Sequence, residues 1–407
     1  MPSAEQSGRR AARATAGRRT MVIGRPVLET GAGRARAVAQ VDVAGETRAL
    51  WFEVEAAYAP YLNVARGDAF LVGLLYTALH EGYDLVSVAP VTAELLHNLT
   101  ETLVPAVVKA EPGLVAPAIS APAATAPLVT AGKVGTGISC GVDSLQAVHA
   151  YGKGRGGAHE ITHLVIFNVG AYKKGREAQQ FAWQRRQARA FAAEYGYALV
   201  EADSNLHAAF PRDHALAVKY SNAFAIHMLA KLWGVYLYAS DGYDFRDCRL
   251  SEHAVEDSAW MDALGAIAFT TRTLQVVPAG FALTRRDKLV QLADDAAAQK
   301  YLDCCFQAGA GSANGFPNCG RCSKCRRTIL LLDALGALDR FARVFDVKDY
   351  RAHRDEYDYW LLSQRWLRHG DAMAQAALAA LKPRMARRLF VKSFLGRLKH
   401  KILGDGR

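Results

Sequence analysis

The chain has 407 residues, about half of them apolar, and a formal net charge of +11. At roughly 150 residues per domain that is two or three domains, and no stretch approaches the roughly 18 to 20 apolar residues of a bilayer-spanning helix. The charge is local: five arginines against Glu5 in residues 1–19, and nine Lys or Arg against Asp405 in residues 382–407. The body between is nearly neutral, so the basic balance is no argument for a nucleic-acid-binding core.

Residues 1–19 are rich in Ala, Arg, Ser and Gly and carry no apolar h-region. They read as a disordered basic tail on a cytoplasmic protein. A small α+β domain follows over 20–118. Residues 37–43 and 48–55 form a hairpin across Ala44-Gly45-Glu46-Thr47, because Leu50, Phe52 and Val54 alternate with Glu53 and Glu55. Asp68 caps a helix to His80 that stops near Gly82. A strand covers Asp84–Val88. A second helix runs Thr92–Leu103, capped by Thr92 and stopped by Pro105.

Pro112, Pro117, Pro122 and Pro127 recur every five residues. Proline continues neither a ladder nor a helix, so this stretch, centred on 119–130, is a semi-extended linker or an edge strand. Beyond it, over 131–284, strands (Gly132–Ile138, His163–Val169, Tyr197–Glu201, Val235–Ala239) alternate with helices (Ser144–Tyr151, Arg176–Tyr195, His214–Trp233). That alternation predicts an α/β fold, a parallel sheet with helices on both faces. Residues 285–381 read as helical and hold most of the cysteines. In 382–407, Val391, Phe394, Leu395, Leu398 and Ile402 fall at helical spacing among Lys and Arg, a basic amphipathic helix. It leaves open peripheral membrane contact, a homodimer or self-packing. Nucleic acid is not favoured.

The segment Ser139-Cys140-Gly141-Val142-Asp143-Ser144 joins a strand to a helix. Small residues let the backbone approach a ligand, and the free N–H groups and helix dipole make an anion site. Ser139 and Ser144 can donate to phosphate oxygens. Asp143 suggests magnesium or a cap on the loop. The segment resembles the Ser-Gly-Gly-x-Asp-Ser signature of PP-loop ATP pyrophosphatases, with Cys140 in place of the first glycine. Cysteine fits there at little cost if its φ is negative.

That resemblance implies that Ser139, Gly141, Val142, Asp143 and Ser144 hold the pyrophosphate of ATP. It implies that Phe167 and Asn168 lie where adenine binds, and that Ser240 and Gly242 face the same cleft. Leu283-Thr284-Arg285-Arg286-Asp287-Lys288 resembles the family's Ser/Thr-Lys-x-Glu turn. Arg285 stands where the family has Lys, and with Lys288 it would steady the phosphates. Asp143, Ser144 and Arg285 are the expected catalytic residues.

Five of the seven cysteines sit between 304 and 325. Cys319-Gly320-Arg321-Cys322-Ser323-Lys324-Cys325 supplies three thiolates at a spacing that wraps one ion, and an upstream cysteine completes a tetrahedron. Zinc is favoured over iron–sulfur, because no Cys-Pro follows. Arg321, Lys324, Arg326 and Arg327 would offset the thiolate charge. The order of motifs resembles the 7-cyano-7-deazaguanine synthases over about residues 132–336. The resemblance makes Cys305, nearer the triplet, the fourth ligand, with Cys304 the alternative. The segment 20–118 and the tail beyond 340 lie outside the match, which implies a different substrate.

Together these readings predict an ATP- and Mg2+-dependent, zinc-bearing ligase acting on a small molecule. It would activate a carboxylate or amide oxygen as an AMP ester and then add a nitrogen nucleophile. Two alternatives stand beside it. One is sulfur transfer using Cys140 or Cys248. The other is a non-catalytic nucleotide-binding zinc protein.

Overall fold

The computed structural model describes residues 19–172, 175–240, 242–247, 257–305, 315–364 and 372–394. The arginine-rich start up to residue 18, Asp241, Cys248, Ser251-Glu252-His253 and the basic helix positions Leu395, Leu398 and Ile402 lie outside the described residues. The chain forms two compact units. One holds the residues up to 138, 150–177 and 188–282; the other holds 139–149, 178–187 and 283 onward.

The strands are β1 (Arg19–Ile23), β2 (Val27–Gly31), β3 (Arg34–Val43), β4 (Glu46–Glu55), β5 (Tyr83–Ser87), β6 (Val91–Thr92), β7 (Ile119–Ser120), β8 (Ala123–Ala124), β9 (Lys133–Gly137), β10 (His163–Asn168), β11 (Ala198–Ser204), β12 (Trp233–Ala239) and β13 (Gln275–Ala279). The helices used below are α1 (Asp68–Glu81), α2 (Val142–Tyr151), α3 (Glu177–Tyr195), α4 (His214–Met228), α5 (Arg285–Leu292) and α6 (Ser323–Ala334). Among the described residues, no helix is long and apolar enough to cross a membrane.

The first unit is α/β, with one mixed sheet flanked by helices. Its order is β13-β12-β9-β10-β11-β4-β3-β1-β5-β7, with β2 on β3. The five strands β13 to β11 are parallel. In chain order they stand third-second-first-fourth-fifth from β11 to β13, so the winding reverses at β9. Such reversal points are where open α/β sheets bind ligands, outside the strand carboxyl ends.

The hairpin forms as its pattern requires. Leu50, Phe52 and Val54 are fully buried. The connection is a tighter turn than expected: Ala44 and Gly45 both take positive φ, 55° and 94°, the two-residue turn whose twist matches the strands.

The segment 20–118 does not stand as a separate domain in the structure. β4 pairs antiparallel with β11 through Glu53 and Asp203, so its strands continue the sheet. The 119–130 stretch supplies the edge strand β7 on β5 and the short β8 on β6. One core serves both parts. Phe52 meets Phe167 at 6.4 Å and Phe224 at 5.6 Å between ring centroids, and Phe70 meets Phe224 at 5.7 Å. Gly73 lets α1 close on α4: a Cβ there would lie 2.9 Å from the Phe224 ring.

Three local expectations change. Asp68 is not a cap. It is buried inside α1 and accepts from the Thr92 amide at 2.7 Å and the Thr92 hydroxyl. Thr92 does cap the next helix by position, but its hydroxyl is turned to Asp68 and so makes no cap bond. Pro105 does not stop that helix. A π-helical turn at Leu99–Leu103 absorbs the missing N–H, and the helix runs on to Ala110. The helix read as His214–Trp233 ends at Met228, and Trp233 already belongs to β12.

His227 of α4 is 1 % exposed, and its Nε2 has no hydrogen-bond partner among the described residues. Burial pulls its pKa below the usual 6.5, although nearby Asp68 and a hydrogen bond with the Phe269 backbone pull the other way. On acidification the unfolded chain takes up a proton that the folded chain refuses. Stability should therefore fall as pH drops through 6.5 toward the depressed value. Urea unfolding between pH 7.5 and 5.5 should show a slope that His227→Leu reduces by about one proton. An unchanged slope would contradict this.

Candidate functional site

All but four of the residues expected at the site lie in the second unit, on α2, α5 and the loop that leads into α2. Gly141 precedes α2, so the free N–H groups of residues 142–144 sit at its positive end. Inside the loop, Ser144 Oγ donates to the Gly141 carbonyl at 3.2 Å and lies 3.3 Å from Ser139 Oγ. The Gly141 amide donates to Ser139 Oγ at 3.3 Å. Both hydroxyls are thus held close together at the helix start, in small-residue surroundings. Val142 is buried and anchors the first turn.

Cys140 departs from expectation. Its φ is +58°, the left-handed region that favours glycine. A side chain there costs on the order of 1 kcal/mol. The thiol is buried, and burial pushes its pKa up, helped by Asp303. It is therefore protonated at neutral pH and a poor nucleophile. The Cys140 carbonyl accepts from the Asp303 amide at 2.8 Å.

Asp143 has a different role from the one first read. Its two carboxylate oxygens accept from Arg285 Nη2 and Lys288 Nζ, each at 2.7 Å. Burial alone would raise its pKa, but the two cations outweigh it and hold the carboxyl below the usual range. Both oxygens are engaged, so Asp143 acts here as a clamp for two cations. The clamp thus brings two cationic side chains to the α2 N-terminus, alongside the partial positive charge of the helix end.

α5 begins where the clamp needs it. Thr284 and Asp287 form a reciprocal capping box. The Thr284 hydroxyl accepts from the Asp287 amide at 3.1 Å, and the Asp287 carboxylate accepts from the Thr284 amide at 3.2 Å. This places Arg285 and Lys288 on one side of the first turn. Two further bonds lock α2 to the same region: Gln146 to Gln291 at 3.2 Å, and His149 to Asp295 at 2.8 Å.

Phe167, Asn168, Ser240 and Gly242 belong to the first unit, at the carboxyl ends of β10 and β12. Phe167 stacks on Tyr236 at 6.4 Å. The Asn168 amide is spent on Asp203 at 2.8 Å, which ties β10 to β11. The Ser240 amide bonds the Ala279 carbonyl, and Gly242 is left-handed at φ 92°.

The thiols of Cys305, Cys319, Cys322 and Cys325 all lie within 4.8 Å of one another. Tetrahedral zinc with sulfurs at about 2.3 Å sets them about 3.8 Å apart; Cys319 and Cys325 are 3.9 Å apart. The group can hold a metal ion such as zinc, and its compactness suits one ion. Cys304 is not part of it. Its amide and thiol both turn to Asn318 Oδ1, at 2.9 and 3.3 Å. Asn318 in turn donates to the carbonyls of Leu302 and Val344 at 2.7 and 3.0 Å, which fixes both ends of the cluster.

Gly320 makes the turn at φ +69°. Hydrogen bonding from the Cys305 thiol pulls Cys319 well below the ordinary thiol range and Cys322 down to about 6. Charge is balanced differently than expected. Arg321 goes to Asp349 at 2.8 Å and Glu356 at 3.2 Å, and Arg326 lies over the Tyr357 and Trp360 rings. The N-terminus of α6 does part of that work: Cys322 is its cap residue and Cys325 sits in its first turn.

The chain was compared with protein families, curated proteins and solved structures, and none matches it. The functional reading therefore rests on the residues themselves.

Sequence reasoning passed over Asp303 and Trp183. Asp303 is 7 % exposed, accepts from the Trp183 indole N–H at 2.8 Å and from the Cys305 amide at 3.2 Å. Its pKa is pushed up to about 6, chiefly by burial. A lone Asp beside Cys304-Cys305 carries no motif. The only signal was its place two residues before a ligand.

Two outcomes are expected. Cys305→Ser should lose metal affinity by about 10-fold or more, while Cys304→Ser keeps one ion per chain, as metal analysis after dialysis would show. In urea unfolding, Cys140→Gly should be more stable than Cys140→Ala by about 1 kcal/mol, because only alanine retains a Cβ at positive φ. Equal stabilities would deny the left-handed geometry.

Proposed function

We propose that the chain is an ATP-dependent adenylating enzyme of the PP-loop type, joining a small-molecule acid or amide to a nitrogen nucleophile. The observation that carries this reading is the clamp of Asp143 with Arg285 and Lys288 at the start of α2. It sets two cationic side chains beside a loop whose own charged side chain is acidic. That is what a site for pyrophosphate requires, and a plain strand-to-helix turn has no need of it.

In this reading the amides of 142–144 and the hydroxyls of Ser139 and Ser144 receive the β- and γ-phosphates. Arg285 and Lys288 take up the charge that develops as pyrophosphate leaves. A substrate carboxylate or amide oxygen attacks the α-phosphorus. The bond to the bridging oxygen breaks, and pyrophosphate departs with the electron pair. A nitrogen nucleophile then attacks the activated carbon and AMP leaves. Mg2+ would arrive with the nucleotide, neutralising phosphate charge. Zinc would be held by Cys305, Cys319, Cys322 and Cys325 in a closed four-sulfur site, which is structural chemistry. Sulfur transfer through Cys140 loses support from its buried, protonated thiol.

Zinc-loaded protein should release pyrophosphate from Mg-ATP in the presence of one class of small carboxylic acids or amides plus an amine or ammonia. Ser144→Ala should lower that rate by about 100-fold while leaving far-UV circular dichroism unchanged. Tight ATP binding without pyrophosphate release for any acceptor would point instead to a non-catalytic nucleotide-binding protein.

A further inference from the structure

Two features with separate chemistry share the second unit: the Ser139–Ser144 loop and the four-cysteine group. Three consecutive residues connect them. The Asp303 amide donates to the carbonyl of Cys140, the left-handed residue of the loop. The Asp303 carboxylate accepts from the Cys305 amide and, through its other oxygen, from the Trp183 indole. The Cys304 amide, between them, is held by Asn318, which also fixes the residues flanking the cluster.

Cys140 sits in a backbone region that a non-glycine residue leaves when nothing restrains it. Ser139 and Ser144 bond to each other and to Gly141, and the Arg285–Asp143–Lys288 clamp holds the loop further along, at the start of α2; the Asp303 amide is what reaches the Cys140 peptide itself. The restraint comes from the segment 303–305, and Cys305 is the end of that segment that a metal ion would pin.

We propose that Asp303 and Trp183 are positioning residues through which the metal at the cysteine group holds the nucleotide loop in its strained, binding-ready form. Metal loss releases the Cys305 thiolate from the ion, the 303–305 segment relaxes, and the Cys140 peptide loses its bond from the Asp303 amide. The loop amides then no longer converge. The nucleotide part of this inference rests on the adenylation reading; the coupling of metal to loop does not.

Hydrogen exchange separates the two. Full-length protein would be compared with and without zinc, the metal being removed by chelator and restored by zinc alone. Amides 140–145 should exchange about tenfold faster without zinc and recover on its return, while β3 and β4 of the first unit stay unchanged. Trp183→Phe, which keeps the ring and deletes the donor, should retain one zinc per chain, speed exchange in the same amides, and weaken ATP binding about tenfold, the worth of one charge-assisted hydrogen bond. Unchanged loop exchange after zinc removal, or faster exchange everywhere at once, would overturn the coupling. Loop exchange that responds to zinc in a protein with no ATP affinity would keep the coupling and overturn only the adenylation reading.

Discussion

The ionic clamp of Asp143 with Arg285 and Lys288 is the interaction on which the candidate site depends. Lys288 is 1 % exposed, and a buried ammonium without a counter-charge costs several kcal/mol. The pairing is therefore mutual. The carboxylate makes the buried lysine tolerable, and the cations keep the carboxylate ionised at the mouth of a helix N-terminus. Residues 142 and 145 positions apart in the chain are tied by it. The clamp fastens α2 to α5, and both belong to the second unit, although α2 follows β9 closely in sequence.

Around the clamp, the second unit adds a polar network to its buried apolar residues. Asn318 uses its amide on five backbone or thiol groups, and Asp303 uses its carboxylate on two donors. Buried side-chain networks of this kind specify one arrangement, because each member left unpaired carries a desolvation penalty. They also make the unit sensitive at single positions.

The sheet of the first unit is held by a continuous apolar core from Met21 to Phe281. Phe52, Phe70, Phe167 and Phe224 contribute from both sides of the proline-rich stretch. Period-2 and 3.6-residue patterns forecast such a core well, and the hairpin and the parallel strands were legible for that reason. β13 escaped notice because Pro278 interrupts it. Proline is tolerated there because β13 ends the sheet order and leaves an N–H side without a ladder partner.

By itself the sequence determined the α/β class, the strand–loop–helix placement of Ser139–Ser144, and the metal-type spacing of Cys319, Cys322 and Cys325. All of these are local, written in periodicity or in residues a few positions apart. Tertiary structure decided the rest. It chose Cys305 over Cys304, because Asn318 claims the latter. It tied Asp143 to Arg285 and Lys288, sent Arg321 to Asp349 and Glu356, and joined residues 20–118 to the main sheet through Glu53 and Asp203. The physical reason is common to all four. Each depends on which partner reaches a polar group first in three dimensions, and hydrogen-bond and ion-pair choices between distant residues leave no period in the chain.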